Sequence, residues 1–115
     1  MRVIIEASPV GITILRPAEG LDMSNVTEFR QTLQQAVQQA KRGLIVWLTD
    51  VTFMDSSGIA VLIEGLKWSR ERHLPYVLAQ LTPAVRMVLE LARLENFFTV
   101  AETREAATIL ITQTA

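Results

Sequence analysis

The sequence predicts an α/β domain: a mixed, mostly parallel β-sheet of about five strands with four helices packed against it. After two short β-branched runs near the start, apolar strand-like runs alternate with segments of helical periodicity. Strands joined by helices pair in parallel through right-handed crossovers, whereas the opening two are separated only by a short turn. At 115 residues, half of them hydrophobic, we expect residues 1–115 to form a single domain.

The opening strands are expected at residues 3–5 and 10–15, with Ser8-Pro9 between them. The first helix follows, because Asn25 and Glu28 have the spacing of a capping box. Lys41-Arg42-Gly43 is expected to end it, with the glycine at the C′ position. The helix should bury a stripe made of Val26, Phe29, Leu33, Ala36, Val37 and Ala40.

Residues 44–48 form an apolar run without alternation, which is typical of a strand buried on both faces, so Trp47 and Leu48 are expected in the core. Ser56 and Ser57 then open a second helix with a buried stripe. That stripe consists of Ile59, Leu62, Ile63 and Leu66.

The last two strands are expected at residues 76–81 and 97–100. Thr82-Pro83 is a capping residue followed by proline at the first helical position, which predicts a third helix. Thr103 can cap a fourth helix. The residues that this last helix should bury are Ala107, Leu110 and Ile111.

Charge and composition exclude several functional classes. Eleven basic against twelve acidic residues give a net charge of −1, whereas a nucleic-acid-binding protein needs a basic surface. The chain has no cysteine, so disulfides and thiolate metal sites are absent. The longest apolar runs, 44–48 and 59–63, are far shorter than the roughly 20 residues that span a membrane, and Glu6 interrupts any signal-peptide core. We therefore expect a cytoplasmic protein without membrane insertion.

Groups for catalysis are scarce, so an enzyme is disfavoured and no catalytic, metal or cofactor site is predicted. The single histidine, His73, is expected at the surface, about four helical turns or roughly 20 Å from Ser56. Asp50 and Asp55 flank the turn after the buried strand, as in magnesium-dependent phosphoacceptor sites. Such sites also need a lysine at the end of a later strand, which is missing here. A turn-capping role for Asp50 is the simpler interpretation.

The remaining feature is the segment from Thr52 to Ile59, where Ser56 and Ser57 place two hydroxyls at the start of a helix. One interpretation is that either serine merely caps this helix. The other is a phosphoacceptor serine, because a helix N-terminus stabilises a phosphate and the added negative charge would alter a binding surface. The chemistry of the residues leaves both interpretations open.

The segment Phe53-Met54-Asp55-Ser56-Ser57-Gly58-Ile59 closely resembles the signature of the STAS domain, in the form found in bacterial anti-sigma-factor antagonists. The resemblance extends along the chain through three further segments. These are Leu21-Asp22 before the first helix, Leu81-Thr82-Pro83-Ala84-Val85 at the step into the third, and Leu91-Ala92-Arg93-Leu94 with Phe97-Phe98 at the entry to the last strand.

This resemblance implies a partner-switching regulator of transcription. The unphosphorylated antagonist binds an anti-sigma factor that is also a serine kinase, phosphorylation of Ser56 releases it, and a metal-dependent serine phosphatase resets it. Asp55, Ser57 and Gly58 would complete the motif, and Asp22 would lie beside Ser56 on the partner-binding surface. The alternative is a stand-alone STAS subunit of a membrane complex that transports lipids or anions. The sequence makes no prediction of the oligomeric state.

Overall fold

The computed structural model describes residues 2–114 and contains a five-stranded sheet in the order β1-β2-β3-β4-β5. The strand β1 pairs with β2 antiparallel, and every later neighbouring pair is parallel. This confirms the predicted mixed α/β class with four helices. In chain order the elements are β1 (Val3–Ala7), β2 (Ile12–Pro17), α1 (Val26–Gln39), β3 (Gly43–Trp47), α2 (Ser56–Glu71), β4 (Tyr76–Ala79), α3 (Pro83–Leu91), β5 (Thr99–Ala101) and α4 (Arg104–Thr114).

The sheet has a hydrophobic cluster on each face. Side chains of α1, α2 and α3 pack with one set of strand residues, while α4 packs with the other set. In β3, Leu44 and Val46 belong to the first cluster and Ile45 to the second, and all three are fully buried. The non-alternating run is therefore a strand covered on both faces, as predicted. The predicted stripe of α1 is also buried in full.

Trp47 departs from the prediction, because it is only half-buried whereas Leu48 has no exposed surface. The Arg16 and Arg104 guanidinium carbons lie 4.3 and 5.3 Å from the centre of a Trp47 ring. The indole N–H donates to the side chain of Gln80 at 3.0 Å. Trp47 thus packs against the hydrophobic cluster that contains the α4 side chains. Its ring faces the two guanidinium groups as cation–π partners.

The predicted start of α1 at Val26 is confirmed, but its predicted capping bond and its predicted end are wrong. Asn25 precedes the helix but makes no side-chain cap. Gly43 is the first residue of β3 and does not end the helix. A Cβ at Gly43 would lie 2.5 Å from the Ile111 Cγ2 atom, so the glycine is needed for the approach of α4. The cation at the end of α1 is instead Arg72, the residue after α2, whose guanidinium donates to the carbonyls of Val37 and Ala40.

The other predicted helix starts are confirmed. The Thr82 hydroxyl accepts from the Val85 N–H with Pro83 in the first turn, and the Thr103 hydroxyl accepts from the Ala106 N–H at 3.0 Å. The expectation for Leu110 is wrong, since its side chain is exposed while Ala107 and Ile111 are buried. No helix within residues 2–114 is long and apolar enough to cross a lipid bilayer.

Candidate functional site

Two loops meet beyond the carboxyl ends of β2 and β3 and extend the pairing of those strands. The Glu19 N–H donates to the Asp50 carbonyl at 3.2 Å, and the Leu21 N–H donates to the Phe53 carbonyl at 2.9 Å. The Leu21 carbonyl in turn accepts from the Asp55 N–H at 3.1 Å. The segment that leads into α1 is therefore held by backbone bonds against the segment that leads into α2. The two segments thus form one continuous surface beyond the carboxyl ends of these strands.

Asp55 is the residue that caps α2. Its carboxylate accepts from the Ser57 N–H at 2.9 Å, from the Gly58 N–H at 3.4 Å and from the Ser57 hydroxyl at 2.5 Å. These bonds satisfy N–H groups that have no partner within the helix. Of the two interpretations of the serine pair, the simple one is therefore wrong: neither Ser56 nor Ser57 is the N-cap.

The same bonds lower the pKa of the Asp55 carboxyl below its ordinary value. The Ser57 hydroxyl has the largest effect, and the backbone N–H groups of Gly58, Ser57 and Met23 contribute in the same direction against desolvation. Asp55 is thus a fixed negative charge at neutral pH, held in place from both loops.

Ser56 is the first residue of α2, and its side chain is exposed. In the described part of the chain, its hydroxyl is in no hydrogen bond, whereas the neighbouring Ser57 hydroxyl donates to Asp55. The two serines are therefore unequal: Ser57 supports the cap, and Ser56 presents a free hydroxyl at the N-terminal end of a 16-residue helix.

Gly58 allows α2 to begin close against both loops. A Cβ on Gly58 would lie 2.6 Å from the Met54 Cγ atom and 3.2 Å from the Leu21 Cβ atom. Met54 and Leu21 are both buried, and their backbones form an isolated parallel β-bridge. The glycine of the motif is thus required by packing beneath Ser56.

Asp22 lies in the loop that is bonded to the segment leading into α2. It follows Leu21, whose backbone is bonded to Phe53 and Asp55. Its carboxylate accepts from the N–H and the hydroxyl of Ser24, and its own N–H donates to the Asn25 side chain. Asp22 and Asp55 thus give two carboxylates on adjoining loops around the start of α2.

Two apolar side chains on this surface were missed in the sequence. Met23 is 81% exposed and Phe53 is 46% exposed, and each lies in one of the paired loops. The Phe53 ring lies over Gly20, where a Cβ would come within 2.2 Å of its Cε1 atom. The available signal was, in each case, an apolar residue in a connecting segment that lies outside any periodic element.

The residues considered for metal or catalytic chemistry do not converge. Asp50 pairs with Arg16, the Nε–Oδ2 distance being 2.6 Å, and thus does not serve simply as a turn cap. His73 is exposed beyond the end of α2, with a positive φ of 55°, while Ser56 begins that helix. Among residues 2–114, no group of three or more side chains has the arrangement of a metal site.

Replacing the cap should destabilise the fold in proportion to the bonds lost. We expect Asp55→Ala to lower the free energy of unfolding by about 1 kcal/mol, and Ser57→Ala by less, because the Ser57 N–H keeps its bond to Asp55. The matched control is Ser56→Ala, which removes no hydrogen bond and should stay within about 0.5 kcal/mol of wild type. Urea unfolding measures all three, and a larger loss in the control than in Asp55→Ala would contradict the assignment of the cap.

The lowered pKa also predicts how stability depends on pH. A carboxyl whose pKa is lower in the folded than in the unfolded state stabilises the fold above the unfolded value and loses that effect as pH falls through the folded value. For Asp55 this loss should begin below the ordinary pKa of 3.8. The side chain of Asp55→Asn does not titrate, so the difference in the free energy of unfolding between wild type and this variant should shrink as pH falls below this value. Urea unfolding from neutral to acidic pH measures it, and a constant difference would contradict the prediction.

Comparison with known proteins supports one assignment. The model of the STAS domain family matches residues 5–107. A protein of Bordetella bronchiseptica that carries the name anti-sigma factor antagonist BtrV is 29% identical over 87 residues, which are 76% of this chain and 75% of that protein.

Solved structures share the fold at lower identity. An anti-sigma factor antagonist structure from Thermotoga maritima superposes with a TM-score of 0.87 at 20% identity, covering 96% of this chain and 94% of the other. The anti-sigma factor antagonist SpoIIAA, described in its unphosphorylated form, superposes with a TM-score of 0.80 at 22% identity, covering 97% of each chain.

Proposed function

The chain belongs to the STAS domain family, and from that premise we propose that it is an anti-sigma factor antagonist that switches partners when Ser56 is phosphorylated. Unphosphorylated, it binds an anti-sigma factor that is also a serine kinase. Phosphorylation of Ser56 by that kinase breaks the complex, and a metal-dependent serine phosphatase restores the binding form. The protein itself acts by binding and performs no catalysis.

One observation carries the proposal: the Ser56 hydroxyl is exposed and has no hydrogen-bond partner in the described residues, at the position where α2 begins. A kinase can reach such a hydroxyl without unfolding the helix. The similar Bordetella protein carries the name of an antagonist, and the SpoIIAA structure is described as unphosphorylated, which supports both parts of the proposal.

The local fold can accept the phosphate. A phosphate on Ser56 would carry about −1.5 to −2 charges and would sit at the positive end of the helix dipole. The dipole interaction favours a negative charge there by about 0.3–1 kcal/mol at exposed sites. Because Ser56 contributes no bond to the cap, its modification should leave the Asp55–Ser57 hydrogen bonds in place.

The surrounding residues supply the contact surface. Met23 and Phe53 provide exposed apolar area on the two paired loops, which suits the desolvated centre of a protein interface. Asp22 and Asp55 add negative charge, so the partner surface should carry basic groups opposite them. Ser57 and Gly58 hold the start of α2 in the shape that presents Ser56.

Phosphorylation of the intact protein by a candidate anti-sigma-factor kinase with ATP tests the proposal. We expect a mass increase of one phosphate per chain in wild type and in Ser57→Ala, with peptide mapping placing it on Ser56. Ser56→Ala should not be modified. Phosphate on Ser57 in preference to Ser56, or equal modification of Ser56→Ala, would overturn the assignment.

A further inference from the structure

The strand β1 lies at the edge of the sheet. It pairs on one side with β2, and the sheet order leaves its other side uncovered within residues 2–114. Ile4 and Ile5 are both exposed, although they lie in the middle of a strand. An uncovered strand edge presents N–H and C=O groups that can pair with another strand.

The hydrogen bonds to β2 show which groups face outward. The Arg2 carbonyl accepts from the Ala18 N–H at 2.9 Å, and the Ser8 N–H donates to the Ile12 carbonyl at 2.8 Å. Backbone groups point alternately to the two sides of a strand, so the even-numbered residues of this segment bond to β2. The N–H and C=O groups of Val3, Ile5 and Ala7 therefore point away from the sheet.

The side chains of this edge are complementary to themselves in one register. Consider two copies of β1 that pair antiparallel, with the two-fold axis at Ile4. Val3, whose backbone groups point outward, then faces Ile5 of the second copy, and the Ile4 residues of the two copies face each other. Arg2 then faces Glu6 of the second copy, as a directly opposite pair with its side chains close together. The next register, centred on Ile5, would instead place Ile4 against Glu6. Charge and hydrophobicity thus both favour the register centred on Ile4.

Both charges reach solvent, although Glu6 already forms an ion pair with Arg104. Arg2 is exposed, and the Glu6 side chain is 41% exposed. The Glu6 Oε2 atom lies 3.7 Å from the Arg104 Nη1 atom in this ion pair, and a carboxylate has acceptor sites for more than one guanidinium.

We propose that the protein forms a homodimer in which the β1 strands of two copies pair antiparallel about Ile4, joining two five-stranded sheets into one. The interface is two-fold, so each Arg2–Glu6 pair occurs twice. Antiparallel pairing reverses the second copy, and the carboxyl ends of its parallel strands lie at the opposite end of the joined sheet. The two Ser56 surfaces therefore face away from each other, and the dimer can hold two partners at once.

Sedimentation velocity of the full chain, from micromolar to millimolar concentration, tests the dimer. We expect wild type to pass from monomer to dimer across this range. Glu6→Arg and Arg2→Glu each place like charges opposite one another and should weaken dimerisation about tenfold or more. The double variant with both substitutions restores opposite charges and should dimerise like wild type. Glu90→Arg, an exposed charge reversal on α3, is the control and should change nothing.

Hydrogen exchange locates the interface independently of charge. The N–H groups of Val3 and Ile5 should be more protected at high than at low protein concentration, in wild type and in the double variant alike. Ser56→Asp should leave both readouts unchanged, which separates this proposal from the phosphorylation switch. A wild-type monomer throughout, single variants that dimerise as wild type does, a double variant that stays monomeric, or protection that is independent of concentration would each overturn the proposal.

Discussion

Leu48→Ala is expected to lower the free energy of unfolding by about 2–5 kcal/mol. Leu48 has no exposed surface, belongs to the cluster beneath α1, α2 and α3, and follows β3 directly. Its N–H donates to the Ala79 carbonyl at 3.0 Å, so the backbone at this position is tied to β4. A residue fixed in this way cannot move to fill the space that the lost side chain leaves, and both lost burial and a cavity contribute.

Urea unfolding at neutral pH measures this effect. The matched control is Leu91→Ala, because the Leu91 side chain at the end of α3 is 79% exposed and its truncation should change stability by less than about 0.5 kcal/mol. A Leu48→Ala loss as small as that of the control would mean that the strand end does not pack as described.

Ser56→Asp is expected to weaken binding of the partner kinase more than a hundredfold. The new carboxylate would lie close to Asp55 and beside the loop of Asp22, and a docked partner would have to desolvate it next to two like charges. Such an uncompensated charge at an interface costs several kcal/mol, and about 3 kcal/mol already corresponds to more than a hundredfold in Kd.

Two controls isolate the position of the charge. Ser56→Ala should bind as tightly as wild type, since the hydroxyl contributes no intramolecular bond in the described structure. Gln39→Glu adds the same charge at the far end of α1 and should change affinity only slightly. Equal weakening by Gln39→Glu and Ser56→Asp would show that net charge, and not its place at α2, controls binding.

Local chemistry explains which features could be predicted from the sequence. The caps at Thr82 and Thr103 and the buried run of β3 depend on neighbouring residues, and all three are confirmed except for the half-buried Trp47. The motif around Ser56 is equally local, which is why the sequence predicts that a helix starts at Ser56. The fold class follows from the order of such local elements.

Features that depend on distant residues could not be predicted in this way. Gly43 has the pattern of a helix end, but its real constraint is Ile111, which lies 68 positions later in the chain. Asn25 has the pattern of a cap, yet its amide donates to the Gly20 carbonyl and its oxygen accepts from Asp22. Likewise, the sequence does not show that Met23 and Phe53 lie on one surface, because backbone hydrogen bonds between two separate segments bring their loops together.

The central claim is that a phosphate on Ser56 dissociates the partner while leaving the fold intact. Its most direct test is titration calorimetry of the anti-sigma-factor kinase, with nucleotide present, against unphosphorylated wild type, wild type phosphorylated on Ser56, and Ser56→Ala. We predict tight binding of the first and third forms and more than a hundredfold weaker binding of the phosphorylated form, with closely similar circular dichroism for all three. Equal affinities for the three forms would contradict the switch and favour a STAS subunit of a membrane transport complex instead.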